Sequence, residues 1–243
     1  MSESDVLSPL DIVRTIDHAI LLPTVTGAQL RAGIEAVWHL PLASVCVNSI
    51  NVRAVVALLA GTAIPTCCVV GFPSGAVSLH AKLNEAEAAL NEGATEIDMV
   101  VHQGAALGGD LDAVAAEVAK MVDLVHAAQG KVKAILETGV LNSDTLVATL
   151  CGICGDAGAD FVKTSTGFGY VHNEQGQLTA SGATVHDIEL MARSVTGTTA
   201  VKASGGIRSA SMARALLKAG ATRLGTSSTL SIFAEDGVST NGY

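Results

Sequence analysis

The feature that most constrains this chain is an alternation, sustained along its length, between short β-branched runs and longer runs with apolar residues at three- and four-residue spacing. Strands expose alternate faces and helices repeat every 3.6 residues, so the alternation specifies βα units around a parallel sheet. Candidate strands are Arg14 to His18, Ser44 to Asn48, Thr66 to Phe72, Glu96 to Val101, Lys131 to Glu137, Asp160 to Thr164, Thr199 to Ala203 and Thr222 to Thr226. Helical segments between them include Ser78 to Glu92, Asp110 to Ala128, Ser143 to Asp156, Thr184 to Val195 and Ala210 to Ala219. Gly93, Gly130 and Gly220 follow helical runs where left-handed caps are expected. Eight strands is the number a closed barrel requires. An open doubly wound sheet usually carries a dinucleotide glycine fingerprint after an early strand, and Gly71-Phe72-Pro73-Ser74-Gly75 fits neither that spacing nor a P-loop. The reading is an α/β chain folded as one (β/α)8 TIM barrel over residues 1–243, with functional groups at the C-terminal ends of the strands.

Composition narrows the partners. With 49% hydrophobic and 15% charged residues the chain is too apolar for disorder. A net charge of −9, with only 14 scattered Lys and Arg, argues against nucleic acid. The acidic start Met1-Ser2-Glu3-Ser4-Asp5 is unlike a signal peptide, and no apolar stretch reaches bilayer length, so a cytoplasmic protein with no membrane partner is expected. The five cysteines then read as reduced thiols. Cys151 and Cys154 lie in a helical pattern without a second pair to complete a metal site, and Cys67-Cys68 reads as apolar filling of a strand.

Two lysines stand out. Lys163 and Lys202 each end an apolar run and are followed by small hydroxyl and glycine residues, in Phe161-Val162-Lys163-Thr164-Ser165-Thr166-Gly167 and Val201-Lys202-Ala203-Ser204-Gly205-Gly206. One such lysine could snorkel into solvent. Two at one barrel mouth suggest more, because desolvation and a neighbouring cation convert an amine into a nucleophile able to form an imine with a carbonyl. Asp98 lies within the fourth strand, on the face shared with Glu96 and Val100, while Ile97, Met99 and Val101 form the face that meets the helices. An inward carboxylate beside two lysines suits a proton relay, and its plainer alternative is a structural ion pair. Ser204-Gly205-Gly206 and Gly225-Thr226-Ser227-Ser228 follow the seventh and eighth strands, where barrels often hold phosphate; Gly205, Gly206, Ser227 and Ser228 are the candidate ligands.

Taken together, Ile16-Asp17-His18, Glu96-Ile97-Asp98-Met99-Val100, Ile135-Leu136-Glu137-Thr138, the Lys163 and Lys202 segments through Arg208, and Gly225-Thr226-Ser227-Ser228 resemble the 2-deoxyribose-5-phosphate aldolase family in order and spacing. The resemblance implies a class I aldolase that reversibly cleaves 2-deoxy-D-ribose 5-phosphate to acetaldehyde and D-glyceraldehyde 3-phosphate, with no metal or organic cofactor. It implies Lys163 as the imine-forming residue, Lys202 as pKa tuner and proton donor or acceptor, and Asp98 as a second proton carrier. Thr166, Asp17 and the terminal Tyr243 are further candidates, and a homodimer or homotetramer is implied as the assembly. The chain departs from the family pattern at Ala19, Leu22, Ser49 and His102, and none of these departures removes a member of the catalytic trio.

Two rival readings exist. A metal-dependent lyase would recruit His18 and His102, but no close His or Glu cluster accompanies them. A regulatory barrel would use the lysines only to clamp an anionic sugar phosphate, a role that Asp98 opposes.

Overall fold

The computed structural model describes residues 7–172 and 175–235, and Tyr243 lies outside them. Among the described residues, eight parallel strands close a barrel: β1 (Ile16–Ile20), β2 (Ser44–Asn48), β3 (Thr66–Val70), β4 (Glu96–Val100), β5 (Lys131–Ile135), β6 (Phe161–Lys163), β9 (Ala200–Ser204) and β10 (Arg223–Thr226). The neighbours run β1-β10-β9-β6-β5-β4-β3-β2, so chain order is kept around the ring and the sheet has no free edge. The expected barrel is therefore observed. An antiparallel pair, β7 (Tyr170–His172) and β8 (Leu178–Ala180), stands apart from the ring between β6 and the following helix.

The helices start where short polar side chains satisfy the first free amides. Ser78, Asp110, Ser143, Thr184 and Ser209 accept hydrogen bonds from the third residue beyond, at the head of α4 (Leu79–Asn91), α6 (Leu111–Ala127), α8 (Asp144–Asp156), α9 (Val185–Ser194) and α10 (Ala210–Lys218). Their apolar faces meet the outward faces of the strands. The principal core accordingly contains Ile97, Met99 and Val101 but not Val100, whose side of β4 faces the barrel interior.

Two local expectations are corrected. The first strand begins at Ile16 rather than Arg14, because Arg14 closes a short helix, α1 (Pro9–Val13), and the Thr15 hydroxyl donates to the Ile12 carbonyl at 2.7 Å. Gly93 and Gly220 have φ of 104° and 118°, as their role requires, but after α6 it is Gln129, not Gly130, that turns left-handed at φ 58°. Gly130 is needed for space instead: a Cβ there would come within 2.8 Å of a Val125 methyl.

Candidate active site

The strand registers bring the two lysines together. Lys163 on β6 is the direct partner of Lys202 on β9, and Asp98 on β4 that of Lys133 on β5. All four side chains point into the barrel, and each is at most 3% exposed. The Lys163 and Lys202 amines both donate to one oxygen of Asp98, Oδ2, at 2.8 and 2.7 Å. Lys133 donates to the other, Oδ1, at 2.7 Å.

Below this trio the charges continue. Lys202 also donates to Asp17 Oδ2. Asp17 Oδ1 accepts from Arg223 at 2.8 Å, and Glu96 pairs with Lys133 at 2.6 Å and Arg223 at 3.3 Å. Arg223 lies over the Phe161 ring, 5.1 Å from its centre. The cluster holds four basic groups against three carboxylates. One proton can therefore leave it and bring it to neutrality, which removes much of the penalty for deprotonating a buried amine.

Electrostatics fixes the resting charges of the members around Lys163. Burial pushes the Asp98 carboxyl upward, but Lys133, Lys163 and Lys202 outweigh it and hold the group well below the usual range. Asp17 is likewise lowered by Lys202, Lys133 and Arg223 against its own desolvation. For Lys202 burial acts downward, yet Asp17 and Asp98 raise it above an ordinary lysine. At neutral pH, Asp98 is thus a proton acceptor and Lys202 a proton donor, 2.7 Å apart.

A cavity of about 590 Å³ opens over this floor at the C-terminal ends of β1, β6, β9 and β10. Lys163, Lys202 and Asp17 form part of its lining, together with Thr166 and the proposed anion loops. Lys163 Nζ has a single hydrogen-bond partner, Asp98, among the described residues. Its remaining valence is turned to the cavity.

Gly205, Gly206, Ser227 and Ser228 also border the cavity. Gly205 has φ 92°, and a Cβ on it would approach Gly182 Cα to 2.9 Å, so two loops touch there through backbone alone. Gly225 makes room in the same way for Lys202, whose Cε would lie 3.1 Å from a Cβ. The Ser228 amide donates to the Thr226 hydroxyl at 2.9 Å, and Ser227 and Ser228 both border the cavity on that side. Thr166 is held by Glu137, which accepts from its amide at 3.1 Å and its hydroxyl at 2.5 Å.

The histidines are separated. His18 borders this cavity and pairs with the Thr229 hydroxyl at 2.9 Å, while His102 borders a different one and accepts from the Ala105 amide. The described residues do offer one possible cation cage, with donors of Cys46, Cys67 and Asp98 within 4.8 Å of one another. It does not suit a metal, because both Asp98 oxygens already carry ammonium groups whose charge opposes a cation. Cys67 nonetheless corrects the reading of Cys67-Cys68 as apolar filling. Cys68 packs in the main core, but Cys67 donates to Asp98 at 3.1 Å and accepts from Lys133 at 3.2 Å.

Sequence reasoning missed Lys133 and Arg223. A signal was present for the first, since Lys131-Val132-Lys133-Ala134-Ile135 places a lysine mid-strand in an apolar run, as the Lys163 segment does.

A closed α/β barrel with an amine of free valence over a shared carboxylate, at the strand ends, belongs with enzymes that act on carbonyl compounds. More particularly, the chain belongs to the DeoC/LacD family aldolases, whose model matches residues 12–235. A deoxyribose-phosphate aldolase of Mycolicibacterium paratuberculosis is 44% identical over 221 residues, covering 89% of this chain and 93% of the relative. That of Caldicellulosiruptor saccharolyticus is 41% identical over 227 residues, covering 93% and 98%. Among solved structures, the tetrameric deoxyribose phosphate aldolase from Aeropyrum pernix superposes with a TM-score of 0.83 at 32% identity, covering 93% of this chain and 91% of that one.

Proposed function

We propose that this aldolase cleaves 2-deoxy-D-ribose 5-phosphate reversibly to acetaldehyde and D-glyceraldehyde 3-phosphate through an imine on Lys163. The observation that carries the reading is the Lys163 amine, held by one Asp98 oxygen and otherwise directed into the cavity. The unprotonated amine adds to the C1 aldehyde of the open-chain sugar, and loss of water gives an iminium. The C2–C3 bond then breaks as the C3 hydroxyl yields its proton, and the electron pair moves into the iminium to leave an enamine. Glyceraldehyde 3-phosphate departs, the enamine takes a proton at C2, and hydrolysis returns the amine and acetaldehyde. Asp98 accepts and Lys202 donates in these transfers, with a water relaying protons to the reacting atoms. Neither needs a change of resting charge to begin.

The substrate phosphate is assigned to the rim formed by Gly205, Gly206, Ser227 and Ser228, on the side of the cavity beside Lys202. Asp17 acts by holding Lys202, and Thr166 by shaping the loop after Lys163. By analogy with the tetrameric relative, the chain is expected to work as a homo-oligomer in the cytoplasm; no helix among the described residues is long and apolar enough to cross a membrane.

The test is reductive trapping. Acetaldehyde with borohydride should inactivate the enzyme and leave an ethyl group on Lys163 in peptide mass spectra, while EDTA leaves activity intact. An adduct confined to another lysine would overturn the assignment. So would loss of activity on chelation with recovery on adding metal. A barrel that merely binds sugar phosphates would give no adduct at all.

A further inference from the structure

Cys46 and Cys67 are register partners on the neighbouring strands β2 and β3, so their side chains emerge on the same side of the sheet. With Val69 they form an apolar group inside the barrel, distinct from the main core. Their sulfur atoms lie within 4.8 Å of each other, and adjacent strands run about 4.8 Å apart, within the Cα separation of roughly 4.4–6.8 Å that a disulfide spans. Cys46 is itself buried, 1% exposed, but borders the active-site cavity, the side from which a small oxidant would approach, and Cys67 lies fully buried behind it. Contact with Cys67 lowers the Cys46 thiol below its ordinary range, with help from Lys202 and Lys163 and against burial and Asp98. The thiolate is the form that oxidants attack. Burial prevails at the other cysteines, pushing Cys151 up to about 12 and raising Cys67, Cys68 and Cys154 well above their ordinary range.

We propose that Cys46 and Cys67 form a reversible disulfide across β2 and β3 that switches the active site off in the presence of a hydroperoxide. The Cys46 thiolate attacks the peroxide O–O bond, takes one oxygen to become a sulfenic acid and releases hydroxide, or an alkoxide from an organic hydroperoxide. Cys67 sulfur then attacks the sulfenic sulfur; the S–S bond forms, the S–O bond breaks, and the oxygen leaves as water. The Cys67 proton is positioned to depart, because that thiol already donates to Asp98 Oδ1. In sum, two thiols lose two electrons and hydrogen peroxide becomes two waters.

The bond has a direct effect on the floor of the cavity. A disulfide sulfur no longer donates to Asp98, and its shift toward Cys46 draws it from Lys133, so the carboxylate that holds Lys163 and Lys202 is left with altered partners. The loss of activity rests on the aldolase reading, whereas formation of the bond does not.

The experiment uses the full chain, treated with graded hydrogen peroxide, quenched by alkylation and split for activity assay and non-reducing peptide mapping. We expect a Cys46–Cys67 peptide pair, lighter than the reduced pair by two hydrogen atoms, with activity falling in proportion to the oxidised fraction. Dithiothreitol should reverse both. Cys46→Ser and Cys67→Ser, each scored against its own untreated activity, should resist the reversible loss. Should either variant fold poorly, the parallel time courses in the unmodified chain decide alone. Oxidation of Cys46 to sulfinic acid without a Cys46–Cys67 bond overturns the proposal, as does a bond that forms with activity unchanged. A bond that forms in a protein giving no Lys163 adduct would retain the disulfide and reject the imine reading.

Discussion

Two buried lysines, in different layers of the molecule, show why burial alone does not make an amine available to a substrate. Lys82 on α4 is as inaccessible as any residue of the barrel floor, donating to Glu117 of α6 at 2.6 Å and to the Val100 carbonyl at 2.7 Å. Burial lowers its pKa and Glu117 offsets part of that. The other oxygen of Glu117 accepts from the His102 amide at 2.9 Å, so the pair fastens the end of β4 to two helices. Among the described residues Lys163 has one hydrogen-bond partner, and it borders a cavity. Desolvation is common to both; what differs is the vacant valence and a surrounding cluster able to lose a proton without stranding a charge.

The largest test of that contrast is to truncate each lysine. Lys163→Ala should lower kcat/KM for deoxyribose 5-phosphate by at least ~10³-fold, because the covalent route is removed, while the protein stays folded. Asp98 keeps Lys133 and Lys202 in this variant, so no charge is left alone. Comparable activity in the variant, measured by aldehyde release, would dispose of the role given to Lys163.

Lys82→Met should do the reverse. It leaves Glu117 buried without its cation, a loss of about 3–5 kcal/mol in unfolding free energy by denaturant titration. The double variant Lys82→Met with Glu117→Leu should recover much of it. If Lys82→Met instead lowered turnover with stability intact, the division between the two lysines would fail.

Smaller again is an effect of pH. Burial lowers the His18 pKa from 6.5 to about 4. Between these values the unfolded chain binds a proton that the folded one does not, so stability rises with pH across the window and is lost as pH falls through it. The amount is ~3 kcal/mol for a shift of this size. Asp17 and Asp98 do not obscure it: both are lowered, and their contribution is intact above about pH 4 and lost only below, as pH falls through their folded values. His18→Gln should remove this rise from the stability profile between pH 4 and 6.5 and leave the opposite slope of Glu137, whose carboxyl burial raises above its ordinary 4.5; an unchanged slope would place the titrating group elsewhere.

How much of this was legible in sequence follows the range of the interactions. All eight barrel strands could be bounded to within two residues at each end because burial on both faces forces continuous apolar runs, and the first is shifted by two at both ends because Arg14 and Thr15 follow α1. Lys163, Lys202 and Asp98 could be singled out because each is an ionisable residue in or ending such a run. Lys133 carries the same mark, but its partners Glu96, Asp98 and Asp17 lie on other strands, and only closure of the barrel makes them neighbours. Arg223 is hidden for the same reason, its partners Asp17 and Glu96 being 206 and 127 residues away in the chain. The β7–β8 pair escaped detection because each strand has three residues, too few to show a period.

The finest test concerns the rim rather than the floor. Changing both Ser227 and Ser228 to alanine removes two hydroxyls that border the cavity and leaves the Thr226 to Ser228 backbone contact in place. If they hold the phosphate, kcat/KM for deoxyribose 5-phosphate should fall by about 10-fold or more, as expected for lost hydrogen bonds to a charged group, while that for unphosphorylated deoxyribose barely moves. Gly206→Val should show the same bias for a different reason: its φ of 75° disfavours a side chain, although a Cβ there meets nothing within 4 Å. Gly205→Ala is the control that separates folding from recognition, since its Cβ would strike Gly182 and disturb both substrates alike. Equal losses on the two sugars in the double serine variant would show that the anion sits elsewhere in the cavity, and that the floor, with its amine and carboxylate, sets affinity as well as chemistry.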